Sequence, residues 1–308
     1  MIAMHHAIYG RRYETITFTA TSCTTFNMTI RFTGTISVNW GDGTTTTQTG
    51  SGVNLNYNKT YASTFTGTIT IAGDLSGVLN FTSQSNTGVF LDVKELKKFS
   101  SLVYLDLRGN ITINNAIVDL PRVTNTLQFQ NLPNVTLTGS VIDLPRVTNT
   151  LYLLNLRNVT LTGSVIDLPR VTTSLYFRNL PNVTLTGSVI DLPRVTTSLY
   201  LENLPNVTLT GSVSDLPLST DVYITSIGTT TLSYTGGTIK PTTKTRTFIN
   251  ISTKFTTAQT DAMLIDHATY STTWSTQRQI YLSSLGRTTA SDSAVATLTS
   301  RSVTITLV

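Results

Sequence analysis

The chain of 308 residues carries 21 Lys and Arg against 16 Asp and Glu, with three histidines and a single cysteine. Charged residues make up only 12% and, by count, 63 positions are threonine, which excludes the charge-rich composition of disorder and favours strands. Cys23 alone excludes an internal disulfide framework and a cysteine-based zinc site, and the thin positive charge has no Lys/Arg block of the kind that follows a phosphate backbone, so no nucleic-acid partner is expected.

Residues 1–12 read as an N-terminal arm that lacks a continuous apolar segment of signal-peptide length. No run of apolar residues reaches the ~18 needed to span a bilayer, so neither export nor membrane insertion is expected. From 13 to 84 the text alternates apolar and polar residues in short runs ("YETITFTA", "MTIRFTG", "TISVNW", "GTITIAG") and predicts a small antiparallel β-sandwich. In "VNWGDGTTTT", Asp42-Gly43 is expected to supply the positive φ angles of a tight turn. A strand ending in W-G-D-G-T, followed by "KTY" before "GTITIAG", resembles the immunoglobulin-like PKD domain of bacterial surface and phage structural proteins. Asp42 is read as a turn residue rather than a cation ligand.

At 93–110 the character changes: a short basic segment, "VKELKK", leads into L-x-x-L-x-L spacing. From there the text repeats with a period of 24, placing Leu127, Leu151, Leu175 and Leu199 in one column and Phe129, Leu153, Phe177 and Leu201 in the next. Leu132, Leu156, Leu180 and Leu204 follow. Each period splits into two halves that share the pattern polar-Leu-Pro-x-Val-Thr, which predicts two short strand-like sides. The Leu columns over 93–235 resemble leucine-rich repeats, in the irregular form found in bacterial and phage surface proteins. The Asn column (Asn131, Asn155, Asn179, Asn203) departs from that family by one position, which leaves a hybrid with a β-solenoid open. One period cannot bury its apolar face alone, so neighbours are expected to stack at about 4.8 Å per repeat, with caps at both ends.

The tail, 245–308, predicts a capping module of helix, strand, helix and strand. "TTAQTDAMLIDHATY" offers Thr256 or Thr257 as N-cap and Ala258, Ala262 and Ile265 on an apolar side, and "TASDSAVATLTSR" a second helix. Thr257, Ala258, Gln259, Asp261 and Ala262, with Ser291, Asp292, Ala294, Val295, Ala296, Thr297 and Leu298, resemble a C-terminal module of phage tail and virion proteins.

Candidate chemistry is sparse. His5, His6 and His267 lack partners at ligand or acid-base spacing, no hydrolase, zincin, phosphate-loop or dinucleotide motif occurs, and no metal or cofactor is expected. The nine N-x-S/T sites are by-products of Thr-rich repeats. The Asp column that includes Asp143, Asp167 and Asp191 is too uniform for catalysis, which needs unlike groups with unlike pKa values at one place. With Arg146, Arg170 and Arg194 three residues later, it reads as a structural ladder in which the cations offset the carboxylates.

Between the buried Leu columns lies an outward column, Val103, Gln128, Tyr152, Tyr176, Tyr200 and Tyr223, flanked by the variable Arg178 and Glu202. An exposed aromatic stripe with varied neighbours suits contact with a glycan or a protein. The resemblances together imply a mainly β, non-enzymatic component of a bacteriophage tail or fibre, made in the host cytoplasm. Its partners would be other copies of itself, other virion proteins and a host-surface glycan or protein. A bacterial surface adhesin or extracellular filament subunit is the alternative, and a glycan depolymerase the third reading.

Overall fold

The computed structural model describes residues 14–237 and 242–308, so the N-terminal arm with His5 and His6 lies outside the described residues. The protein is mainly β with a small helical part at its C-terminal end, and the chain divides into two compact units, Met1–Thr138 with Pro145–Val147, and Gly139–Leu144 with Thr148–Val308.

In the first unit, three long strands, β1 (Glu14–Asn39), β2 (Thr45–Gly73) and β3 (Val78–Leu91), pair antiparallel, with β1 bonded to both others. The period-two alternation puts Ile16, Phe18, Ala20, Phe26, Met28, Ile30 and Phe32 into the core, where Phe26 packs edge-on against Trp40 at 6.1 Å. The turn after Trp40 corrects the sequence expectation: its positive φ angles belong to Gly41 (82°) and Gly43 (87°), not to Asp42. The Asp42 carboxylate instead accepts from the Thr44 amide at 3.0 Å and pairs with Lys59 at 2.5 Å, so the aspartate bends the chain through its side chain.

After a 3-10 turn at Val93–Lys98, capped by Asp92, pairing becomes parallel. Strand β4 (Tyr104–Ala116) runs beside β3, β5 (Thr126–Gln130) pairs with the first half of β4, and β6 (Val135–Ser140) pairs with its second half.

The second unit carries two parallel ladders. Strands β7 (Thr150–Leu154), β9 (Ser174–Arg178), β11 (Ser198–Leu204) and β13 (Asp221–Ile227) form one. In it Leu151 faces Leu175, and Leu175 faces Leu199, each residue meeting its counterpart one period on. Strands β8 (Thr160–Ser164), β10 (Thr184–Ser188), β12 (Thr208–Ser212) and β14 (Thr231–Ser233) form the other. There Thr162 faces Thr184 and Thr186 faces Thr208, two residues short of a full period, so these strands run aslant. Leu175, Phe177, Leu180, Val183, Leu185, Val189, Leu192 and Val195 of a single period are all buried, which is why the repeat holds together only in company.

At the end of β7, of β9 and of β11 the chain needs a left-handed residue. Asn155, Asn179 and Asn203 supply it with φ of 52–55°, a region that asparagine tolerates better than other side chains. Their amides also bond each other, Asn179 donating to Asn155 at 2.5 Å and Asn203 to Asn179 at 3.1 Å. The displaced Asn column therefore builds a ladder of its own. The Arg column differs from its expected role. Arg170 and Arg194 donate to the main-chain carbonyls of Asp191 and Asp215 at 3.0 Å, and to those of Ile166 and Ile190 at 3.2 Å, not to the Asp carboxylates. A guanidinium presents several donors in a fixed fork, and two carbonyls of adjacent repeats fill it.

Strand β15 (Thr243–Asn250) extends the first ladder beyond β13, and β16 (Thr273–Leu282) and β17 (Thr304–Leu307) follow in parallel. Helix α1 (Thr257–Tyr270) starts in a reciprocal capping box between Thr256 and Gln259. Its buried face is Thr260, Met263, Leu264 and His267, while Ala258 is exposed and Ile265 is 40% exposed, which overturns the expected apolar side. Helix α2 (Asp292–Ser300) is preceded by a turn that Asp261 organises, its carboxylate accepting from the Thr288 amide (3.0 Å), the Thr288 hydroxyl (2.6 Å) and the Ser291 hydroxyl (2.5 Å).

Two measurements test these devices. Asn179→Ala is expected to cost about 2–3 kcal/mol in denaturant unfolding, for a strained φ and two lost ladder bonds, whereas Asn179→Gly, which keeps the φ, costs about 1 kcal/mol. For Asp261, burial pushes the carboxyl up, but the Ser291 and Thr288 bonds outweigh it and hold it below its ordinary value of 3.8. The unfolded chain therefore binds the proton first, so this stabilisation is complete above pH 3.8 and is lost as pH falls through the folded value. Asp261→Asn should flatten that acid limb of the stability curve.

Candidate functional site: a stacked aromatic face

Side chains alternate along the first ladder of the second unit, so with Leu175 and Phe177 buried, Tyr176 and its counterparts point outward. One-period register then sets ring upon ring. Tyr152–Tyr176 and Tyr176–Tyr200 lie 4.6 Å apart between centroids, Tyr200–Tyr223 5.4 Å, Tyr223–Phe248 4.4 Å and Phe248–Tyr281 4.1 Å. The last four steps are nearly parallel, at 10–18° between ring planes. Tyr152, Tyr176, Tyr200 and Tyr223 are half-buried rather than fully exposed, because each covers its neighbour's face. What meets solvent is a row of ring edges and phenol hydroxyls.

Two charged pairs border the row. Arg178 and Glu202, adjacent in the outer flanking column, form an ion pair. On the other flank Arg246 holds Asp221 through Nε at 3.0 Å and Nη2 at 3.2 Å, and stacks over the Tyr223 and Tyr200 rings at 4.7 and 5.2 Å. The Tyr200 hydroxyl accepts from Arg246 Nη2 and donates to the Asp221 carboxylate. Burial first, then the hydrogen bond to Asp221 and its charge, push the Tyr200 phenol up, and burial followed by the Glu202 charge does the same for Tyr223. These phenols stay protonated and both carboxylates are held by guanidinium, so the face offers hydrogen bonds and aromatic area instead of proton transfer.

Gln128 belongs to the first unit and has different company. Its Oε1 accepts from the Tyr104 hydroxyl (3.0 Å), Arg108 (3.3 Å) and Gln130 (3.3 Å). Asp106, and not Val103, is its neighbour in register, because the chain from β4 to β5 is two residues shorter than the later repeats. Asp106 is buried and held by Arg108, and with Asn54, Asn80, Gln84 and Tyr104 the pair lines an open polar cleft of about 300 Å³. Burial and the nearby Asp106 charge push the Tyr104 phenol up to about 12.

Sequence reasoning missed Phe248, Tyr281, Asp221 and Arg246. A signal existed: "RTFIN" and "QIYLS" carry an aromatic between inward positions in the phase of "SLYLE". Asp143, Asp167 and Asp191 lie in the short 3-10 turns of successive repeats, while Arg146 belongs to the first unit. Among the described residues no three His, Cys, Asp or Glu side chains cluster to hold a metal, and no helix is long and apolar enough to cross a membrane. No family model matches the chain, and no curated protein or solved structure is significantly similar to it.

The two roles of the tyrosines are separable. Tyr200→Phe removes the hydroxyl that links Asp221 to Arg246 and should cost about 1–2 kcal/mol in unfolding experiments. Tyr176→Phe keeps its ring in the stack and should lie within about 0.5 kcal/mol of wild type.

Proposed function

We propose that the protein is a non-enzymatic structural and adhesive component of a bacteriophage particle, of tail, fibre or receptor-binding type, whose repeat surface meets a host-surface glycan or protein. The observation that carries this reading is the continuous row of six stacked rings with a varied, charged border, displayed at strand spacing on a scaffold of buried leucines. Rigid, half-buried tyrosines present amphipathic contact area at small entropic cost, while the flanking columns, which the core does not constrain, set the partner.

One-period parallel register and the Asn ladder support a leucine-rich-repeat-like solenoid over 93–235. The long antiparallel strands support a PKD-like β-sandwich over 13–84, and the helices with β15 to β17 an α/β capping module over 245–308. The C-terminal resemblance supplies the phage origin.

The test is adsorption of the fluorescently labelled protein to host cells, with antibody labelling of purified particles. Wild type should bind, and Tyr176→Ser should weaken binding about thirtyfold, as loss of an interfacial hot spot does, while the protein remains folded. Equal binding by a folded Tyr176→Ser protein, unlabelled particles, or release of reducing ends from host polysaccharide would each overturn the proposal.

A further inference from the structure

A second kind of chemistry lies inside the C-terminal part of the second unit. Strand β15 alternates normally from Ile249 back to Arg246, and then a bulge intervenes: the amides of both Thr245 and Arg246 point at the Thr220 carbonyl, at 2.8 and 3.4 Å. Pairing with β16 shifts register at the same place. The extra residue swings Lys244 inward on the same side as Thr247, which is how a bulge re-aims a side chain. Lys244 ends 3% exposed, its Nζ donating to the Ser219 carbonyl at 2.7 Å.

Lys244 and Thr247 share a cavity of about 30 Å³ with His267 of α1, walled by Leu216, Leu218 and Val222. That is room for about two water-sized groups. His267 is 0% exposed; its Nδ1 lies 3.4 Å from the Ser271 hydroxyl, while among the described residues its Nε2 has no hydrogen-bond partner, and neither does the Thr247 hydroxyl. Two unmatched polar atoms beside a buried amine are costly unless something small completes them.

We propose that Lys244 is a carbamylation site, its ε-amine taking up carbon dioxide in this cavity to form a carboxylated lysine. The Nζ lone pair attacks the carbon, an N–C bond forms, and one C–O π pair moves onto oxygen. One N–H proton passes to His267 Nε2, so an amine, carbon dioxide and an imidazole become a carbamate and an imidazolium, with no oxidant or net charge required. The remaining N–H keeps its bond to Ser219, and the carbamate oxygens take the Thr247 hydroxyl and the new His267 N–H as donors. Apolar walls admit a small uncharged gas and exclude larger electrophiles. Burial pulls the Lys244 amine down to about 7, against the opposing pull of Asp221 on β13, and burial followed by the Lys244 charge keeps His267 well below its ordinary value. The amine is thus free, and the imidazole neutral, in mildly alkaline solution. This site is independent of the adhesive face.

The test equilibrates the full chain with isotopically labelled bicarbonate at about pH 8.5, above the depressed Lys244 value, and reads the carbamate by carbon NMR. Beside the carbamate of the chain's α-amine, which is also unprotonated at this pH, one further labelled resonance is expected in the wild-type protein and is missing from Lys244→Met, which keeps the apolar stem and removes the buried amine. Thr247→Val should lower occupancy about tenfold, the effect of one hydrogen bond to a charged group. Alkylative trapping followed by peptide mapping locates the adduct in wild type alone, whatever the variants do. A folded wild-type chain with no resonance beyond that of the α-amine, trapping that leaves Lys244 unmodified, or the further resonance surviving in Lys244→Met would overturn the assignment.

Discussion

The main-chain hydrogen bonds between parallel strands one period apart govern everything else in the second unit. They place each residue of β7, β9 and β11 on its counterpart one period away, so a column of identical residues persists only if the residue is compatible with itself. Leucine packs on leucine, tyrosine stacks on tyrosine, and an asparagine amide both donates to and accepts from its twin. Like charges in such a column would repel, by roughly 0.9 kcal/mol per step at ~4.8 Å even in water. Where charge occurs beside the tyrosines, the column has diverged into opposites, Arg178 beneath Glu202 and Asp221 beneath Arg246. The repeated Arg170 and Arg194 escape the conflict by turning to carbonyl oxygens.

This rule explains what the sequence made legible. The period and the inward columns were readable because burial leaves a plain pattern: Leu151, Leu175 and Leu199 are dry, and the Tyr between them faces out. The same phase runs on through Phe248 and Tyr281, but the spacing is 25 residues from Tyr223 to Phe248 and 33 from Phe248 to Tyr281, where α1 intervenes, and counting alone loses the column. Choices among hydrogen-bond acceptors were not readable. Whether Arg170 takes a carboxylate or a carbonyl depends on the pitch of the turn, and whether Asp42 or its glycines carry positive φ depends on a local bond to Thr44. The buried face of α1 was misread for a related reason: Thr260, Asp261 and His267 are polar but have interior partners, while Ile265 is left outside.

The aromatic row and the interior lysine represent opposite uses of burial. Along the row, ring faces are consumed by neighbouring rings, and the charged pairs Arg178–Glu202 and Asp221–Arg246 lie along its borders. At Lys244 a single bulge breaks the regular alternation and brings an amine into the interior. Regularity makes the first surface, and a lapse in regularity makes the second site.

Self-compatible columns also make the stack editable in length. Where Leu175, Tyr176 and Asn179 rest on counterparts of the same or similar kind, unequal recombination between near-identical stretches of coding sequence can delete or duplicate a whole repeat without creating a foreign contact. The Arg178–Glu202 couple is where such exchange leaves a mark, because removing the repeat that bears Arg178 would set Glu202 upon Leu154 and strand its charge. Reach along the stack is thus a trait that selection can adjust in steps of about 4.8 Å, bounded by the places where chemistry differs from one rung to the next.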